Sequence, residues 1–168
     1  MNPSTFSVKK QALKAILWGG GIGGAFDLIF ALIYYGARGA TFVGVLHSVA
    51  GGLIGRPAAN AGGLATAALG FGLHFLIACC AATVFLAGSR VLPVLIKHAA
   101  PCGLLFGAGI YFFMHLVVLP LSAYHSAALP VKVDVPELIG HIVGVGLPIA
   151  LAVRKFQFWN GPQATPIR

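Results

Sequence analysis

The sequence predicts an all-α polytopic membrane protein, a four-transmembrane-helix antiparallel bundle with a short re-entrant or interfacial helix after span one. Three observations lead there. The chain is 58% apolar and 8% charged, with a mean hydropathy of +0.92, more than a soluble domain of 168 residues could bury within itself. The apolar residues come in blocks: Ala15 to Tyr35 broken only by Asp27, then Ala58 to Ser89, Ala99 to Ala123 and Leu138 to Val153 without a charge. Each approaches the ~20 residues that cross a hydrocarbon core. The basic residues, finally, alternate between segments: Lys9, Lys10 and Lys14 precede span one, Arg90 and Lys97 follow span two, and Arg154, Lys155 and Arg168 follow span four. The other side holds only Arg38, Arg56 and Lys132. By the positive-inside rule both termini are cytoplasmic.

Residues 1–12 form a cytoplasmic N-terminal segment, with Met1 to Ser7 polar and loose. Lys9, Lys10 and Lys14 before an apolar run imitate a secretory leader. The run is too long and lacks a small-x-small cleavage site before Tyr34 and Tyr35, so it is expected to remain as span one, residues 13–35. Within it, Gly19, Gly21 and Gly24 spell the G-x-G-x-x-G of a dinucleotide-binding turn. That turn needs a strand before it and an acid about 20 residues after it. Here a helical pattern precedes, and Asp27 follows at three.

The same letters read as membrane packing. Gly19 and Gly23, and Gly20 and Gly24, are interleaved G-x-x-x-G pairs that admit a second backbone closely, as do Gly103 with Gly107 and Gly140 with Gly144. After the turn "GARG", residues 41–55 are too short to cross and are expected on the periplasmic side. Counting them as a span would also move Arg90 and Lys97 outside.

Span two covers residues 63–87 and is followed by a cytoplasmic connection. Span three covers 99–121, with Pro120 at its outer end. Before span four, residues 136–153, Asp134 is a cap and Glu137 three residues on closes a capping box. Pro148 lies inside that span, and its missing donor predicts a kink. The transmembrane domain thus spans 13–155 and a cytoplasmic tail 156–168. Cys79, Cys80 and Cys102 fall in cytoplasmic halves and read as packing residues, with no disulfide framework.

Each span contains one ionisable side chain: Asp27, His74, His115 and His141. All lie fourteen to sixteen residues from the cytoplasmic helix ends, roughly 21–24 Å at the α-helical rise, in the outer third of the bilayer. An acid facing lipid costs about 2.5–3.5 kcal/mol on insertion scales, so Asp27 is expected to face the bundle beside an imidazole. His47, on the short outer helix, and His125, in the outer loop, can join from above. This layer is read either as interhelical hydrogen bonding or as a binding or proton-relay site.

No cofactor is expected. Three imidazoles and a carboxylate suit zinc in kind and number, but without local ligand spacing the metal stays unknown. A bis-histidine haem would need a cavity that the glycine packing argues against. Glu137 and His141, four apart, can form an outer ligand pair, although a glutamate at a helix start more often faces headgroups. Trp18, Tyr34, Tyr35, Tyr124 and Trp159 suit the membrane boundaries, while Tyr111 reads as core. Ser48, Ser122 and Ser126 have no nucleophile-elbow context, so an enzyme is not expected.

The runs "LGFGLHF" around His74, "VVLPLSA" ending span three and "GLPIALAVRK" ending span four resemble a group of small four-span bacterial inner-membrane proteins with no assigned activity. The likeness implies the architecture and a bacterial cytoplasmic membrane, and transfers no site residue. The function expected is a small binding or transport component with an Asp/His layer near the periplasmic face, and the alternative is a structural or assembly subunit of a larger membrane complex. Partners would be membrane lipids and a homo-oligomer or larger complex. The positive charge is topological, so nucleic acid is excluded.

Overall fold

The computed structural model describes residues 3–124 and 132–158, with side chains for 8–124 and 132–157, and every regular element among them is helical. His125, Ser126 and Trp159 lie outside the described residues. The helices are α1 (Pro3–Gly36), α2 (Phe42–Ile54), α3 (Arg56–Ala61), α4 (Gly63–Val91), α5 (Val94–Lys97), α6 (Ala99–Phe113), α7 (Leu119–Leu121), α8 (Val135–Gly140) and α9 (Leu147–Phe158). Two π-helical segments, Met114–Val118 and His141–Gly146, join α6 to α7 and α8 to α9 without a break. Four continuous helices are therefore long and apolar enough to cross a membrane: Val8–Gly36, Gly63–Val91, Ala99–Leu121 and Val135–Gln157.

The start of α1 corrects the expectation of a loose N-terminus. No glycine or proline interrupts the chain from Ser4 to Trp18, and the helix is continuous from Pro3, the first described residue. It ends where Gly39 takes φ +92°. Thr41 then caps α2, accepting the Gly44 N–H at 3.0 Å. At 13 residues α2 is about 20 Å long and lies against α4.

Packing is set by absent side chains. α1 lies between α4 and α9: a Cβ on Gly20 would come within 2.7 Å of the Cys79 Cα, and one on Gly24 within 3.1 Å of Phe75 and Ala78. Gly19 and Gly23 face Ile149 and Val145 of the fourth span, and Gly140 takes the ring of Phe30. As residue numbers rise along α1 they fall along both neighbours, so the helices run in opposite directions. Gly103 and Gly107 seat α6 on Ala150, Gly146 and the His141 carbonyl. Gly144 lies more loosely, near Phe26. Gly70, one of the small residues on which span two is expected to pack, lies against the Leu46 carbonyl of α2, and a further close approach not singled out in the sequence is Gly146 against Gly103 and Gly107.

The main core fills the half of the bundle that holds the start of α1 and the end of α9, with Ala15, Phe85, Ile149 and Val153 at its centre, and a smaller cluster of Leu28, Leu46 and Ala67 joins α1, α2 and α4. Outward, α1 shows Leu17, Trp18, Ile22, Phe26, Ile29 and Ile33. A helix that buries glycine and exposes its large apolar residues suits a hydrocarbon surround, where close backbone packing and not apolar burial holds helices together.

Both π segments have the same cause. Each ends two residues before a proline, Pro120 or Pro148, whose ring in an α-helix would collide with the carbonyl of Leu116 or Gly144. Widening one turn removes the collision, as the Leu119 N–H bond to the Met114 carbonyl, five residues back, records. A π turn thus lies upstream of Pro148, where a kink is expected, and another upstream of Pro120, which acts inside span three as well as marking its end.

Candidate functional site

Where α1 ends, three spans bring polar groups together. α1 supplies Asp27, Tyr34 and Tyr35, the third span Tyr111 and His115, and the start of the fourth Asp134, Glu137 and His141. This is the far end of the molecule, and the near end is where α1 starts and α9 ends.

Tyr111 is the hub. It is fully buried, and its hydroxyl accepts the Asp134 N–H at 2.9 Å, which satisfies a polar atom that would otherwise be costly there. Its ring lies 4.3 Å from the His115 ring and edge-on to His141 at 5.6 Å. The π turns hold these imidazoles. In the first, the Met114 N–H is shared between the Ile110 and Tyr111 carbonyls, and His115 Nδ1 lies 3.0 Å from the Tyr111 carbonyl. In the second, the His141 N–H is shared between Glu137 and Leu138, and His141 Nδ1 lies 3.0 Å from the Glu137 carbonyl. Carbonyls only accept, so Nδ1 carries the hydrogen in both rings and a neutral ring keeps its lone pair on Nε2.

Each imidazole also faces a carboxylate from another helix. His141 Nδ1 is 3.9 Å from Asp27 Oδ1, and His115 Nε2 is 3.9 Å from Glu137 Oε2. Both separations exceed a hydrogen bond yet lie within strong Coulomb reach, since the four side chains are only 13–22% exposed. Closing the His115–Glu137 pair by about 1 Å would let Nε2 exchange a proton directly with the carboxylate, whereas His141 faces Asp27 through Nδ1 and would first have to turn that hydrogen from the Glu137 carbonyl.

Above the pairs is a clasp. The Tyr34 hydroxyl meets both Asp134 oxygens, at 2.5 and 2.6 Å, while Arg38 donates to that hydroxyl at 2.6 Å and stacks over its ring at 3.6 Å. Asp134 also accepts the Glu137 N–H at 3.2 Å, capping α8. The Tyr34 hydrogen bond first, then the Glu137 N–H and the Arg38 charge, hold the Asp134 carboxyl below its ordinary 3.8. A carboxyl depressed by folding stabilises above its unfolded pKa and loses that contribution as pH falls through the folded value. Asp134→Asn is therefore expected to melt earlier than the parent at neutral pH. The gap should close below about pH 4, read from paired thermal unfolding curves; a constant gap would place the loss elsewhere.

The sequence-predicted layer divides. Asp27 and His141 come together. His115 goes to Glu137 instead, so Glu137 faces another span, not the headgroups, and neither closes a capping box nor joins His141 through its carboxylate. The Asp134 N–H that such a box would have taken is held by Tyr111. His74 turns to the α1 backbone, Nε2 lying 2.8 Å from the Gly24 carbonyl, and His47 ties α2 to the Gly63 carbonyl at 2.8 Å. Each imidazole bridges two helices through a backbone carbonyl. The parts that sequence reasoning missed are the roles of Tyr34 and Tyr111, and for Tyr34 the clue was position: it stands at the end of its span, as Asp134 and Glu137 stand at the start of theirs.

Among the described residues no group of three or more His, Cys, Asp or Glu side chains is arranged to hold a metal ion. The three cysteines are free thiols. The chain matches no known protein family, no curated protein and no solved structure.

Proposed function

We propose that this is an integral protein of the bacterial cytoplasmic membrane, of the kind the four-span resemblance implies, with both termini inside. Its outward end carries a proton-accepting site used in binding or transport. Four long apolar helices support the membrane assignment. The site reading rests on one observation: two acid–imidazole pairs, contributed by three spans, flank a fully buried tyrosine. A purely structural layer is served by hydrogen bonds to the backbone of a neighbouring helix, as His47 and His74 make, whereas His115 and His141 bond only the carbonyl four residues back on their own helix. Acids and imidazoles held just beyond hydrogen-bond length can instead take up and exchange protons as a ligand or an outside solution changes.

The test uses the purified chain in liposomes with an entrapped pH dye and an imposed potassium diffusion potential. Proton entry above that of empty liposomes is expected, falling on the order of tenfold in Asp27→Asn and His141→Gln, as removal of a 1.4 kcal/mol interaction would give. His74→Gln should behave as the parent. Parent liposomes as tight as empty ones, or both site variants conducting like the parent, would overturn the proposal.

A further inference from the structure

At the near end, the first turns of α1 and the last turns of α4 and α9 enclose a cleft of about 280 Å³. Its polar rim is Gln11, Arg90 and Gln157, and Ala15, Leu86 and Phe156 form an apolar floor. Gln11 Oε1 is buried there with no hydrogen-bond partner among the described residues. Gln157 spends its Nε2 on Ser89 Oγ at 2.7 Å, and Ser89 passes its own hydrogen to the Leu86 carbonyl, so that chain is closed and the Gln157 amide oxygen remains for another donor. The rim therefore offers two acceptors that need hydrogen-bond donors and one guanidinium that suits an anion. Basic residues also adjoin the rim, Lys10 and Lys14 beside Gln11 in α1 and Lys155 beside Gln157 in α9, at the ends of long apolar helices, a setting that suits a lipid headgroup.

We propose that this cleft binds a phospholipid whose headgroup joins a phosphate to a primary ammonium. The phosphate meets Arg90, the ammonium donates to Gln11 Oε1 and the Gln157 amide oxygen, and an acyl chain follows Leu86 and Phe156. A quaternary choline headgroup has no N–H to give to Gln11. A glycerol headgroup satisfies Arg90 but brings no cation. The inference needs only that the chain crosses a bilayer and is independent of the far-end site.

Delipidated protein in detergent is titrated calorimetrically with short-chain phosphatidylethanolamine, phosphatidylcholine and phosphatidylglycerol, and separately with phosphoethanolamine and inorganic phosphate. Phosphatidylethanolamine should bind about tenfold tighter than phosphatidylcholine, the size of effect a hydrogen bond to a charged group gives. Gln11→Leu should erase that preference while leaving the unfolding temperature unchanged or higher, because an unpartnered buried acceptor is replaced by an apolar group. Arg90→Gln should weaken phosphatidylethanolamine and phosphatidylglycerol alike. Equal binding of the ethanolamine and choline lipids, or a preference that survives Gln11→Leu, would overturn the proposal. So would phosphoethanolamine or phosphate binding as tightly as the lipid, which would assign the cleft to a soluble anion. The liposome assay of Asp27→Asn reads the other end of the bundle, so either proposal can fail alone.

Discussion

Gly107→Ala is expected to cost the protein about 1–3 kcal/mol or to prevent folding, while the same change two residues on, Gly109→Ala, should stabilise it by about 0.5–1 kcal/mol. Both glycines lie in α6, so helix propensity treats them alike. They differ in what the new methyl meets. At Gly107 it would enter the space held by the His141 carbonyl and come within 2.7 Å of the Ile142 Cα, backbone that cannot step aside without parting α6 from the fourth span. At Gly109 there is nothing within 4 Å. Thermal unfolding of the two variants in one detergent measures the contrast directly. A Gly107→Ala protein as stable as the parent would mean that the two backbones do not meet. Because Gly107 bears on the residue that opens the second π turn, partial folding with displaced His141 chemistry is the milder form of the same damage.

Tyr111→Ala is expected to be as severe for a different reason. Removing a fully buried aromatic side chain costs about 3–5 kcal/mol through lost burial and the cavity left behind. Here the ring is also the wall between two imidazoles, so His115 and His141 would lose the surface that orients them. Tyr111→Phe separates the effects. It keeps the ring and leaves the Asp134 N–H without its acceptor, a loss of about 1–3 kcal/mol if that donor stays buried. Thermal unfolding together with proton entry into liposomes distinguishes the pair: Phe should lower stability and retain proton entry, whereas Ala should lose both. Equal stabilities for Phe and Ala would show that the ring is not the hub.

Much of the scaffold was legible because membrane sequences state it in composition. Uninterrupted apolar blocks set the four spans to within a few residues, and the glycine pairs named the faces on which α1, α6 and the fourth span meet. The site was legible only in part. Asp27 had to find an imidazole, and the cost of an acid in hydrocarbon required as much, but periodicity could not say which imidazole faced it. Helical phase decided that, and the phase of spans three and four is altered by π turns ahead of Pro120 and Pro148. A proline in sequence announces a disturbance without saying whether the helix will bend or widen. Glu137 illustrates a second limit: a helix-start acid has several good local uses, and only the position of His115 on a different helix chose among them. Gly146 escaped notice because no glycine stands four residues from it to make a pair.

The widened turns have a geometric consequence for how the two ends of the bundle relate. Each stores one residue more than its rise requires, so the winding above it and the winding below it are out of step by about 100°. The stripe of Ile149, Ala150 and Val153 that seals the lower half can thus stay aligned with its neighbours while the rings higher on the same rod point where the acids are. In spans three and four, anchoring and aiming are set independently, with the surplus residue at the height of the imidazoles.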